Sequence, residues 1–218
     1  MRDLVERRLA GEPLAWVTGR TDFGGHALLV HPGVYVPRWQ SIALAERAVA
    51  RLPHDGRAVD LCTGSGAIAA ALGTARPGAR VVATDSDPRA VACARANGVQ
   101  ASLGDLLEPV PASFRGCTDV VVAVVPYVPS PALGLLPRDT LAFEDASHYD
   151  GGPDGADLLR RVVAAAPGYL RPGAALLLEL GGDQADLLRP ALDRHGFGTV
   201  RTWADEDGDL RGLEATWG

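Results

Sequence analysis

The sequence predicts an α/β protein: an open, mostly parallel sheet with helices on both faces, preceded by a short β-hairpin. Three observations carry this expectation. After Gly56 the chain alternates short apolar runs with segments of helical period, the pattern of strands joined by crossover helices. Residues 119–125 are apolar enough to be buried on both faces, as inner strands of a parallel sheet are. Earlier, residues 13–36 are rich in glycine and β-formers, with Phe23-Gly24-Gly25-His26 as a turn between two short strands.

Each element has its own signal. Residues 2–10 read as a helix, with Leu4, Val5 and Leu9 on one side and Gly11 as the stop. Residues 41–51 place Ile42, Leu44, Ala45, Ala48 and Val49 at helical spacing. Residues 58–62 form a short buried strand, 63–66 a turn, and the alanine-rich 67–72 a helix. Residues 80–84 are the next strand. Asp87-Pro88 then supplies an N-cap with proline at the first helical position, and Asn97-Gly98 ends that helix. Strands follow at 99–103 and 119–125. A long irregular stretch, 128–154, leads into a helix over 155–166. Residues 174–180 are a fifth strand, Gly182-Asp183 opens a helix that ends at His195-Gly196, and 199–203 and 210–216 close the chain as strands.

Composition narrows the function. A chain of 218 residues with 47% hydrophobic and 22% charged residues suits one sizeable domain and excludes a disordered chain. The net charge of −6 lacks the bulk basic footprint of a duplex-binding protein. All 21 basic residues are arginine, so a lysine nucleophile or Schiff base is excluded. The charged N-terminus is unlike an export signal, and no apolar run nears the roughly 20 residues of a membrane helix. Cys62, Cys93 and Cys117 form no C-x-x-C pair and suit reduced thiols, so a cytoplasmic protein is expected. The five histidines show no metal-ligand spacing, and no metal site is expected.

In open α/β sheets ligands bind at the carboxyl ends of the strands, where strand order reverses. Thr63, Gly64 and Gly66 form a glycine turn between the first such strand and its helix, suited to close approach of a ligand. Asp85 ends the next strand, about 20 residues on, where a carboxylate accepts from both ribose hydroxyls. Asp105 follows the third strand, placed to accept from an adenine amino group, and Asp60 lies near the loop its strand leads into. The set indicates an adenosine cofactor. With no lysine for phosphates and no separate diphosphate grip, S-adenosylmethionine is favoured over a nicotinamide.

Six segments in order resemble the methyltransferases that modify the glutamine side-chain amide of peptide-chain release factors. They are Gly11-Glu12-Pro13-Leu14, Val36-Pro37-Arg38, residues 60–67, Val125-Pro126-Tyr127-Val128, residues 150–157, and Pro172-Gly173 with Leu178-Glu179-Leu180-Gly181 and Gln184. The resemblance spans nearly the whole chain. It implies a Rossmann-like, seven-stranded methyltransferase sheet, S-adenosylmethionine as cofactor, and a division into an N-terminal helix and hairpin (1–36) and a catalytic domain (37–218). It also implies Val125, Pro126 and Tyr127 as the catalytic motif, with Arg38, Val124 and Tyr127 facing the acceptor.

Three departures stand out. The family signature carries Asn where this chain has Val124; the Asn oxygen would hold one amide hydrogen while a backbone carbonyl holds the other. Losing one such bond costs about 1–3 kcal/mol, or about 5- to 150-fold in rate. Pro37-Arg38 is followed by Trp39-Gln40-Ser41 instead of acidic and threonine residues. The family's N-terminal helical domain is represented only by about its last helix. The expected acceptor is a protein glutamine amide. Alternatives are a small-molecule amine or hydroxyl acceptor, a non-catalytic cofactor-binding partner, and a nicotinamide oxidoreductase.

Overall fold

The computed structural model describes residues 2–218. Helix α1 (Arg2–Leu9) and the short α2 (Leu14–Thr18) lead into an antiparallel hairpin, β1 (Arg20–Phe23) and β2 (His26–Leu29). After α3 (Ile42–Arg51), strands and helices alternate: β3 (Arg57–Leu61), α4 (Ala67–Ala75), β4 (Arg80–Asp85), α5 (Pro88–Ala96), β5 (Ala101–Leu103) and β6 (Thr118–Ala123). Then come α6 (Arg138–Phe143), α7 (Asp157–Ala165), β7 (Leu170–Glu179), α8 (Gln184–Arg194), β8 (Phe197–Ala204) and β9 (Leu210–Trp217).

The seven-stranded sheet has the order β5-β4-β3-β6-β7-β9-β8. Its first five strands are parallel, and β9 pairs antiparallel with both β7 and β8. Order reverses between β3 and β6, so the carboxyl ends of these two strands flank the crevice where ligands bind in such folds. All six residues of β6 are buried, as the apolar run requires.

The pleat divides the core. Val59, Leu61, Val121 and Ala123 pack on one face with Leu159, Val162 and Val163 of α7 and Leu188 and Leu192 of α8. Ala58, Val120 and Val122 pack on the other with Leu44, Ala45 and Ala48 of α3 and Leu72 of α4. Phe23 and Leu28 of the hairpin join this second cluster, so the hairpin is part of the central core.

Several boundaries differ from the sequence expectation. Helix α4 runs three residues past position 72, to Ala75. β5 is only 101–103, and β7 begins at 170 instead of 174, its exposed start carrying Pro172 and Gly173. The stretch 128–154 is not without regular structure. Besides α6 it holds 3₁₀ turns at Ser130–Leu135 and Ala146–His148, and a parallel bridge joins Val128 to Asp150.

Candidate active site

A cavity of about 470 Å³ opens at the switch point between β3 and β6. Its size is that of a small-molecule site. Cys62 and Gly64 from the loop after β3, Asp85 to Asp87 from the end of β4, and Val124 to Val128 after β6 form its floor. Tyr35, Arg38 and Gln40 form one wall, and Leu136, Pro137, Thr140, Ser147, His148 and Tyr149 form another.

The loop after β3 is shaped from beneath. Asp60 is 2% exposed, and one of its oxygens accepts from the Thr63 hydroxyl at 2.6 Å and from the Ala69 amide at 3.1 Å. The second bond satisfies an otherwise orphaned amide in the first turn of α4. Burial pushes the Asp60 carboxyl up to about 7, against the pull of those two bonds. Asp60 does not line the large cavity. Gly66 has φ +84°, and a Cβ there would stand 2.9 Å from Val99 Cγ2 and 3.1 Å from Ala94 Cβ. Its glycine therefore serves close packing of the loop on α5, whereas Gly64 faces the cavity.

Asp85 sits at the cavity floor. One oxygen accepts from the Gly64 amide at 2.9 Å and the other from the Asp87 amide at 2.9 Å. Burial is the main influence on its carboxyl and raises it. Each oxygen keeps acceptor capacity for a further donor. Asp87 caps α5 through the Arg89 amide, as the Asp-Pro signal indicates. Asp105 follows the end of β5, the strand paired with β4, outside the cavity lining, and its carboxylate pairs with Arg161.

The segment after β6 is anchored at both ends of Tyr127. Its hydroxyl donates to Glu179 at 3.0 Å, and its carbonyl accepts from the Gln184 side-chain amide at 2.6 Å. Glu179 is 1% exposed and also accepts from the Ser41 hydroxyl at 2.5 Å. Burial pushes both the Glu179 carboxyl and the Tyr127 hydroxyl upward. Gln184 donates as well to Gly155 O at 3.1 Å and accepts from the Gly181 amide at 3.0 Å. Gly155 is required here: φ is +75°, and a Cβ would collide with Tyr127 O.

Arg38 binds Glu144 at 2.7 Å and the Tyr149 hydroxyl at 2.8 Å, with its guanidinium 5.2 Å from the Tyr35 ring centroid. Tyr149 donates to the other Glu144 oxygen at 2.7 Å. This triad ties the 128–154 stretch to the wall that carries Arg38. Asp154 and Asp157 both pair with Arg160 at the start of α7 and lie outside the cavity lining.

Asn97 holds the hairpin to the loop after β3. Its side chain accepts from Leu29 N at 2.8 Å and donates to Leu29 O at 2.9 Å and Ser65 O at 2.8 Å. It is committed far from Val124, which presents only an aliphatic wall. Burial pushes the Cys62 thiol well up, away from nucleophilic use. Among the described residues, no group of three or more His, Cys, Asp or Glu is placed to hold a metal, and no helix is long and apolar enough to cross a membrane.

The expected positions Thr63, Gly64, Asp85, Arg38, Val124, Val125, Pro126 and Tyr127 thus gather around the switch point. The sequence reading did not single out Tyr35, His148, Tyr149 or the Gln40 side chain as site residues, and it placed Glu144 only within a loop that could wall a site. Gln40 had a signal, since it falls in the segment that departs from the Pro-Arg pattern.

Residues 27–110 match the methyltransferase small domain family. The release factor glutamine methyltransferase of Geobacter sulfurreducens is 37% identical over 95% of this chain and 74% of its own length. That of Bordetella pertussis is 37% identical over 98% of this chain and 79% of its own. A crystal structure of the release-factor-specific protein-(glutamine-N5) methyltransferase of Alicyclobacillus acidocaldarius superposes with a TM-score of 0.51 at 27% identity, covering 84% of this chain and 94% of the other.

Proposed function

The chain belongs to the release factor glutamine methyltransferase family and is an S-adenosylmethionine-dependent methyltransferase, and we propose that its acceptor is a glutamine side-chain amide of a release factor. The observation that carries the proposal is that one cavity joins the Gly64–Asp85 floor to the Val125-Pro126-Tyr127 segment. It brings a cofactor-sized space and an acceptor wall into one chamber. Translation termination takes place in the cytoplasm, which supports a cytoplasmic protein.

The residues present fit the cofactor. Asp85, half-buried at the floor with spare acceptor capacity, suits two ribose hydroxyls. The Thr63-Gly64 backbone lies beside it, and Asp60 and Gly66 shape that loop instead of touching the ligand. Asp105, one strand over, is the proposed partner of the adenine amino group, with Arg161 turning its carboxylate. When bound, S-adenosylmethionine supplies a methyl group carried on a sulfonium.

This chain's own part in the reaction is positioning. An amide nitrogen is planar and poorly nucleophilic, so rate comes from holding it in line with the methyl carbon. The Pro126 carbonyl accepts one amide hydrogen, and Tyr127, fixed by Glu179 and Gln184, walls the acceptor side. Bound S-adenosylmethionine would supply the methyl group, and this chain's residues would hold the amide nitrogen in line with it. Arg38 holds the 128–154 segment over the chamber through Glu144 and Tyr149. Residues 1–36 serve the acceptor side and 37–218 carry out transfer.

Labelled S-adenosylmethionine tests the proposal. The purified protein is incubated with lysate of a source strain lacking its gene, and separately with purified release factor. Label on the release factor, mapped to a glutamine, is the expected result. Label confined to small molecules, or absent, overturns it.

A further inference from the structure

The cavity floor meets a ribose with acceptors. Asp85 takes the Gly64 and Asp87 amides and keeps capacity for two hydroxyl hydrogens. A ribose hydroxyl that has donated to Asp85 still carries lone pairs on its oxygen, and those call for a donor. The Gly64 and Asp87 amides are already committed to Asp85.

A donor stands beside them in the same cavity. Tyr35 rests on the glycine turn, since a Cβ at Gly64 would stand 3.9 Å from Tyr35 Cβ. The His148 ring meets the Tyr35 ring edge-on, with centroids 6.4 Å apart, and lines the cavity together with Gly64 and Asp85. Its backbone is pinned on both sides. Asp145 accepts from the Ser147 amide at 2.9 Å and the Ser147 hydroxyl at 2.8 Å, and the His148 amide donates to Asp145 O at 3.0 Å. Tyr149, the next residue, is held by Glu144 and Arg38. The imidazole is thus presented on a closed turn, and little ordering remains to be done on binding.

The two ring nitrogens differ. Nδ1 is buried and has no hydrogen-bond partner among the described residues. Orphaned buried N–H groups are rarer than orphaned lone pairs, so in a neutral ring the hydrogen belongs on Nε2. Nε2 is not shut off in this way and has no hydrogen bond of its own among the described residues.

We propose that His148 is a cofactor-binding residue whose Nε2–H donates to a ribose hydroxyl oxygen of S-adenosylmethionine, while Asp85 takes the hydroxyl hydrogens. The proposal rests on the ribose assignment of Asp85 above. The 128–154 stretch then closes on the cofactor as well as walling the acceptor.

Calorimetric binding of S-adenosylhomocysteine to wild type, His148→Phe and His148→Ala tests it, with the 2′-deoxy and 3′-deoxy forms of that ligand run alongside. His148→Phe keeps a ring edge for Tyr35 and removes the donor; His148→Ala is the second variant should Phe misfold. The expected result is a Kd for S-adenosylhomocysteine raised about 2- to 13-fold. With at least one deoxy ligand the ratio of variant to wild-type Kd should be smaller by about twofold or more, because the hydroxyl that His148 meets is gone. A merely structural His148 would weaken all three ligands alike. A Kd for S-adenosylhomocysteine raised less than about twofold overturns the proposal, as does a ratio that neither deoxy ligand reduces by about twofold. Asp85→Ala in the same assay separates the two assignments. If it leaves the Kd unchanged, the ribose assignment fails and this proposal falls with it; if it weakens binding and the His148 variants do not, only this proposal falls.

Discussion

Replacing Gln184 with glutamate changes one NH₂ for one oxygen and almost nothing in volume, which makes it a sharp probe of the Tyr127 anchor. Gln184 is 3% exposed, and its NH₂ serves two carbonyls, Tyr127 O at 2.6 Å and Gly155 O at 3.1 Å. An ionised carboxylate in its place would set an oxygen against both, so the native state must hold the group protonated. The carboxylic acid then donates to one carbonyl and leaves the other unpaired. One lost hydrogen bond and one unsatisfied buried carbonyl together amount to about 2–4 kcal/mol. The native pKa of the introduced carboxyl is therefore raised, so stability is further lost as pH climbs above the ordinary value of about 4.3, by up to about 1.4 kcal/mol per unit. For a chain of this size each kcal/mol moves Tm by about 2–4 °C. Thermal unfolding followed by circular dichroism at pH 5.5 and 8 should show Tm lowered by about 4–23 °C at pH 5.5, where titration already adds up to about 1.7 kcal/mol, with a wider gap from wild type at pH 8. A Tm within about 2 °C of wild type at both pH values, below the smallest expected shift, would refute the anchoring argument.

Gly66→Ala should cost about 2–4 kcal/mol, from a left-handed backbone and a Cβ driven against Val99 and Ala94; a urea-measured loss under about 1 kcal/mol would sink the packing argument. Asp60→Asn removes a titration. Burial holds the native carboxyl at about 7 against an ordinary 3.8, so the stability it confers is full below 3.8 and is lost as pH rises to about 7. Wild type should therefore lose ground to the variant by up to about 1.4 kcal/mol per pH unit across that window; a difference in urea midpoints that stays flat from pH 4.5 to 7.5 contradicts this. Asp85→Ala should weaken S-adenosylhomocysteine binding about 10- to 150-fold by calorimetry, and an unchanged Kd would remove Asp85 from the cofactor site.

The parts of this fold that were legible in the sequence are those set by local chemistry. β6 was plain because every residue of it is buried, and α5 because Asp87-Pro88 and Asn97-Gly98 mark its ends. What escaped depends on distant partners. Helix α2 has five residues, too few to show a helical period, and Trp16 is fixed by a bond to Val34 O that no local pattern reveals. The course of residues 128–154 rests on Arg38 reaching Glu144 across 106 positions. Asp105 was legible as an acid at a strand end; its pairing with Arg161 on α7 was not. Val124 was visible as a missing acceptor, whereas the hold of Glu179 on both Ser41 and Tyr127 brings together residues from three separate elements.

The union of hairpin and sheet bears on how such a chain can be inherited. Phe23 and Leu28 lie in the same core as Leu44, Ala48 and Val122, and Asn97 joins Leu29 to the backbone of Ser65. The hairpin is thus no detachable cassette. A chimera that took residues 20–29 from one relative and the sheet from another would have to bring the matching α3 face and residue 97 with them, so the hairpin and the loop after β3 must diverge together.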